Sequence, residues 1–143
     1  MAVKVLLAAV FVQVGLTFAL LIWLGRLRAQ SAARGEVRIA DVALSSDAWP
    51  DHIKQIANSF ANQFELPVLF YVAALLAIVM GQVDWIVAGL AVAFVALRLG
   101  HAFIHVTNNH VIRRFQVYVA GFAMLAALWL YLAAGILLAP LAA

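Results

Sequence analysis

Four apolar runs, Val5–Leu24, Ala57–Met80, Trp85–Val106 and Phe115–Ala139, each reach the roughly 20 residues a helix needs to cross a bilayer. Backbone N–H and C=O groups in hydrocarbon have no water to bond to, so runs of this length must satisfy themselves as helices. Composition points the same way: 68% of the 143 residues are hydrophobic and 10% charged, with a mean hydropathy of +1.08, far from the balance of a soluble domain. The expected fold is an all-α integral membrane four-helix bundle. One transmembrane domain fills residues 1–143, with spans of about 5–24, 57–80, 85–106 and 115–139 and one long loop, 25–56. The first run is too long for the 7–15-residue apolar region of a signal peptide, and Arg26 and Arg28 follow it where small cleavage residues belong.

The connections are very unequal. Gly81-Gln82-Val83-Asp84 is short enough that it can only fold spans two and three into an antiparallel hairpin. Residues 25–56 are mixed and polar, with Gly35, a Ser45-Ser46-Asp47 cluster and Trp49-Pro50, and read as interfacial coil or short helix with Trp49 anchored among headgroups. Arg26, Arg28, Arg34, Arg38 and Lys54 lie between spans one and two, Arg113 and Arg114 between spans three and four, and Lys4 stands alone on the other side. The positive-inside rule then makes both basic loops cytoplasmic and puts both termini outside, as in a bacterial inner membrane. A pI near 9.8 is thereby explained by topology; no basic patch interleaved with aromatics is present, and no nucleic-acid partner is expected. Cysteine is absent, so any thiol chemistry must arrive with a ligand.

Polar side chains inside the spans are the exception to this pattern. An ionised residue at mid-bilayer costs roughly 2.5–3.5 kcal/mol on insertion scales, which makes Glu65 and Arg98 candidates for a site. Each lies about eight residues from the basic end of its span, roughly 12 Å deep, so the two are expected to pair across helices. Asn58, Asn62 and Glu65 follow i, i+4, i+7 spacing; Arg98, His101 and His105 follow i, i+3, i+7; Arg114 and Tyr118 are four apart. Three helices are thus expected to turn polar stripes toward one pocket at the basic end. Polar side chains between spans also serve as interhelical glue, at roughly 0.6 kcal/mol per hydrogen bond. His101 and His105 also allow a different reading, a metal or haem site with Glu65 as third ligand. Pro67, just after Glu65, should kink span two and free backbone carbonyls near the site.

These residues resemble a known family, the membrane-associated proteins in eicosanoid and glutathione metabolism (MAPEG). Its Asn-x-x-Glu element followed closely by proline looks like Asn62-Gln63-Phe64-Glu65-Leu66-Pro67, and its Arg-x-x-His pattern looks like Arg98-Leu99-Gly100-His101. Its Arg-x-x-x-Tyr resembles Arg114-Phe115-Gln116-Val117-Tyr118, and the arginine ending its first helix resembles Arg26. Spacings between these elements are similar to those of the microsomal prostaglandin E synthase and microsomal glutathione transferase branch, in a bacterial-type member. The resemblance implies a homotrimer binding glutathione between neighbouring subunits. It also implies that Arg114, with Tyr118, stabilises the thiolate, that Arg26, Asn62 and Glu65 hold the tripeptide, and that a lipophilic substrate enters from the membrane lipids. Asn58, Arg98, His101 and His105, from the polar stripes of the same pocket, are expected to shape the glutathione site with them. An adjacent guanidinium favours the thiolate of a thiol whose ordinary pKa is about 8.5. The chain departs from the family pattern at Asn58, where an arginine is usual, at Ala61, often basic, and at His105, in place of a tyrosine. Two functions follow from the resemblance: a glutathione-dependent transferase or peroxidase acting on lipophilic electrophiles or lipid hydroperoxides, and a noncatalytic lipid-binding or scaffold protein of the same fold.

Overall fold

The computed structural model describes residues 1–43 and 45–138. Helix α1 (Ala2–Ala33) runs from one end of the bundle to the other and is followed by a 3-10 turn (Ile39–Val42). Span two is built from α2 (Asp51–Ala61), a 3-10 turn (Asn62–Phe64) and α3 (Leu66–Val79); spans three and four are α4 (Trp85–Val106) and α5 (Val111–Leu137). These make four helices long and apolar enough to cross a membrane, and the chain is a multi-pass integral membrane protein. The C-terminal end of the expected fourth span, Ala139, lies outside the described residues.

Helix α1 overruns its expected end. Its 32 residues extend about 48 Å, against roughly 30 Å of hydrocarbon, so its last turns stand clear of the apolar layer. Residues 26–34, which read as interfacial coil or short helix, contain no glycine or proline, and a helix already nucleated propagates through them without a break. It stops where a left-handed residue is available. Gly35 has φ +70, its N–H bonds to Ala32 O at 3.0 Å, and Glu36 N–H reaches Ser31 O at 3.1 Å, the paired pattern of a Schellman cap. The Glu36 carboxylate then accepts from Ser31 Oγ and Arg34 Nε, each at 2.7 Å, and these bonds hold its pKa below the usual carboxylate range, the Arg34 bond contributing most. At the other edge of the loop α2 begins at Asp51, earlier than the expected span.

The α3–α4 hairpin ends in the same device. Gly81, at φ +64, bonds to Ile78 O, and Gln82 N–H bonds to Ala77 O at 2.8 Å. Asp84 caps α4 by accepting from the backbone N–H groups of Ile86 and Val87, both at 2.9 Å, and it also accepts from the Tyr131 hydroxyl on α5. The core between these helices is made of small residues and a few large ones: Ala9 of α1, Ala73, Ala77 and Phe70 of α3, Ala91 and Phe94 of α4, Leu128 and Leu132 of α5. Alanines let backbones approach where lipid tails are as apolar as leucine and close packing is the main attraction. Phe70 and Phe94 fill the middle with ring centroids 5.0 Å apart. Leu, Val, Ile and Phe side chains cover the outward faces, as expected of helices bathed in acyl chains.

Candidate functional site

Span two is not one continuous helix. Pro67 has no N–H, and its ring would meet the carbonyl of Gln63 in an uninterrupted α-helix. The chain responds by tightening into a 3-10 turn over Asn62–Phe64 and passing through Glu65 at φ −100, ψ −109, before restarting as α3 with Pro67 in the first turn. The break releases the carbonyl of Asn62, and Arg98 Nη2 donates to it at 2.9 Å. Freed carbonyls were anticipated at this proline; the partner was not.

Around that break lies a cleft of about 270 Å³, lined by Asn62, Glu65, His101, Val111, Arg114, Phe115 and Tyr118. Asn62 Nδ2 donates to Asn58 O at 2.9 Å, which leaves its carbonyl oxygen as the free amide edge. The exposed Glu65 side chain supplies the one negative charge of the lining. Arg114, half-buried at the start of α5, is steadied by Asn109, whose Oδ1 accepts from Nη1 at 2.5 Å. Asn109 has φ +48, a left-handed conformation that asparagine tolerates better than most residues, and its N–H closes the α4–α5 corner on Ile104 O at 2.8 Å. Tyr118 lies one turn along from Arg114 and its ring centroid is 5.8 Å from that of His101. A guanidinium, a phenol, an imidazole, an amide and a carboxylate therefore face one space, with Val111 and Phe115 as its apolar wall.

Beneath the cleft the residues are buried instead of available. Arg98 is 1% exposed, and apart from its bond to Asn62 O its Nε and Nη1 find no partner among the described residues. His105 is buried one turn from His101, ring centroids 5.7 Å apart and nearly perpendicular, and its backbone carbonyl accepts from Gln55 Nε2 of α2 at 2.6 Å. Among the described residues no group of three His, Asp or Glu is placed to hold a metal ion.

Several expectations need correction. Glu65 and Arg98 do not form an ion pair; the ion pairs of the described residues are Arg34–Glu36, Arg38–Asp41 and Lys54–Asp51. The reason is the break: the turn at Glu65 leaves its carboxylate exposed in the cleft and gives the guanidinium a backbone carbonyl instead, an acceptor cheaper to bury than a charge. Asn58 does not line the cleft. It belongs to a separate pocket beside Arg28: α2 is regular up to Asn62, whose N–H bonds to Asn58 O, so Asn58 sits one full turn nearer the basic end, where Arg28 and Trp49 line the space around it. Arg26 calls for no such correction: it is exposed on α1 outside the cleft of its own chain, and its expected place is in a site between subunits.

Other positions carry weight that spacing did not reveal. Gln13 of α1 donates to Gln63 Oε1 at 2.9 Å, and Gln63 Nε2 to Ser59 O at 2.8 Å, a buried amide relay that fixes α1 against the segment leading into the break. Gln13 is a lone amide in an otherwise apolar run, the same signal that flagged Glu65. Asn109, which positions Arg114, sits in a polar corner and offered no such contrast. Two larger grooves, about 430 and 400 Å³, run between α1 and α4, but their linings are almost wholly apolar and bring no polar groups together.

A four-span α-helical membrane protein whose polar residues gather at a proline break near one end is thus defined by fold and site together. The MAPEG family model matches residues 6–134, and the chain belongs to that family. Its members typically bind glutathione and are commonly glutathione-dependent enzymes. No curated protein and no solved structure matches the chain significantly.

Proposed function

We propose that the protein is a glutathione-dependent membrane transferase or peroxidase that acts on lipophilic electrophiles or lipid hydroperoxides. The observation that supports this reading most is the convergence of Asn62, Glu65, His101, Arg114 and Tyr118 on one cleft. The donor set fits glutathione: Glu65 matches its ammonium group, the Asn62 carbonyl its amide N–H groups, and Arg114 its thiolate or a carboxylate. At about 270 Å³ the cleft is at the small end of the ~300–1,000 Å³ usual for ligand pockets, and further walls would enclose a tripeptide more fully. A homotrimer, with the exposed Arg26 of a neighbouring copy closing the cleft over a ligand carboxylate, would supply them.

Glutathione brings the nucleophilic sulfur. Arg114, held in place by Asn109, lowers the energy of the thiolate and so raises its fraction at neutral pH. The Tyr118 hydroxyl, one turn away, donates a hydrogen bond to the same sulfur, and Phe115 and Val111 border the route by which an apolar co-substrate arrives from the lipid. The basic end is the cytoplasmic one in this reading, with both termini outside. Conjugation of glutathione to a lipophilic aryl halide by the purified protein in detergent is the test. Arg114→Ala should lower kcat/KM by at least tenfold, and a protein that leaves substrate unchanged under all conditions would refute the enzymatic reading. The noncatalytic alternative, a lipid-binding or scaffold protein, draws support from Asn58 and Ala61, which supply no second cation to the cleft; it predicts glutathione or lipid binding without turnover.

A further inference from the structure

A second polar pocket, of about 230 Å³, lies between the end of α1, the loop and the start of α2, where Arg28, Ser46, Asp47, Trp49, Lys54 and Asn58 meet. Arg28 is the unusual member. Its guanidinium stacks over the Trp49 ring, 5.3 Å from the centroid, and its Nε is shielded from solvent yet donates to nothing among the described residues. Stacking fixes the guanidinium plane without using its N–H groups, so the fork stays free for an acceptor. Lys54 adds a second cation. Its ion-pair partner among the described residues, Asp51 at 3.0 Å, is 98% exposed in side chain, and such a water-screened pair holds the ammonium weakly. The Ser46 hydroxyl and the Asn58 amide bring neutral donors, while Asp47 is the single acidic group and is itself engaged with Ser45 Oγ at 2.7 Å.

Within the lining two cations face one carboxylate; a second carboxylate, that of Asp51, stands outside it on the solvent side of Lys54. With an unused guanidinium edge and two neutral donors, this describes a receptor for a small anion rich in acceptors. We propose that this pocket binds a phosphate group through Arg28 and Lys54, as a site separate from the cleft at Arg114. A phosphate offers more terminal oxygens than a carboxylate and so uses more of these donors at once. The group belongs either to an anionic phospholipid, whose headgroup lies at the depth where Arg28 and Trp49 flank the apolar layer, or to a soluble phosphate compound.

The test uses the full chain in detergent and in bilayers. Inorganic phosphate is titrated at constant ionic strength against chloride and acetate, following thermal unfolding, for wild type, Arg28→Gln, Lys54→Gln, Asp47→Asn and Arg114→Ala. The expected pattern is stabilisation by phosphate beyond that by acetate, a Kd raised about tenfold or more in Arg28→Gln and raised less in Lys54→Gln, a lowered Kd in Asp47→Asn, and no change in Arg114→Ala. The gain in Asp47→Asn keeps the test informative even where Arg28→Gln folds poorly. Phosphatidylcholine bilayers with and without phosphatidylglycerol identify the source: stabilisation by phosphatidylglycerol that is lost in Arg28→Gln assigns the lipid headgroup, and a response to inorganic phosphate alone assigns a soluble compound. Equal responses to phosphate, acetate and chloride, or a phosphate effect abolished by Arg114→Ala, would overturn the proposal.

Discussion

The two ends of the bundle are built on opposite principles. At the Gly81–Asp84 end every device closes the structure: a Schellman turn ends α3, Asp84 caps α4 and ties it to Tyr131, and alanines bring the helices together. At the other end the second span is broken, a buried guanidinium keeps nitrogen atoms without partners among the described residues, and amide, carboxylate, imidazole and guanidinium groups surround open space. The difference teaches that helix continuity is traded for polarity at the end where polar groups surround open space. A span that is continuous and apolar can only pack, whereas a broken one turns backbone carbonyls and side chains into binding groups.

The largest effect should come from the packed region. Phe94→Ala removes a ring from the middle of the core and is expected to cost about 3–5 kcal/mol of unfolding free energy in detergent, while ligand affinity of the remaining folded protein stays unchanged. Arg98→Ala should cost less, about 1–3 kcal/mol for orphaning the Asn62 carbonyl, yet it should abolish ligand binding because the break loses its brace. Equal loss of binding in both variants would erase the distinction between the ends. Arg98→Ala combined with Glu65→Gln sharpens it further: with no direct pair between them, the two effects should add to within about 0.5 kcal/mol. A large coupling energy measured in that cycle would restore the ion pair that spacing suggested.

The smallest effect concerns the capped end. Asp84→Ala should lose about 0.5–2 kcal/mol as an N-cap. Hydrogen bonds from the Tyr131 hydroxyl, and then from the Val87 N–H, hold the Asp84 carboxyl below the usual range. Its contribution is therefore complete above the unfolded value of about 3.9 and falls away as pH drops through the lower folded value. Wild type should lose stability in that acid window, and Asp84→Asn should lose less over the same window; identical acid profiles would show that the carboxylate plays no part.

Much of this was legible in the sequence, and what was hidden was hidden for physical reasons. Hydropathy located the spans because twenty apolar residues admit few alternatives in a membrane. Asn62, Glu65, His101, Arg114 and Tyr118 could be grouped by depth and helical spacing, and they do share one cleft. Asn58 and Arg98 were grouped by the same spacing, but spacing gives a helix face and not its neighbours: one turn before Asn62 that face meets Arg28 and Trp49, and the break before Pro67 offers Arg98 a carbonyl. The extension of α1 to Ala33 was concealed by its polarity, since the stop is set by the conformation of Gly35 and not by hydropathy. The brace of Arg114 by Asn109 depends on a corner between two helices that no periodicity encodes.

Glutathione binding itself is the most direct test of the cleft. Thermal unfolding of the purified protein, with and without millimolar glutathione, should show stabilisation following RT ln(1 + [L]/Kd), about 1.4 kcal/mol at tenfold saturation. The same titration on Arg114→Ala should show none. A wild-type protein unaffected by glutathione, or a shift equally large in Arg114→Ala, would contradict the assignment of Asn62, Glu65, His101, Arg114 and Tyr118 as a glutathione site.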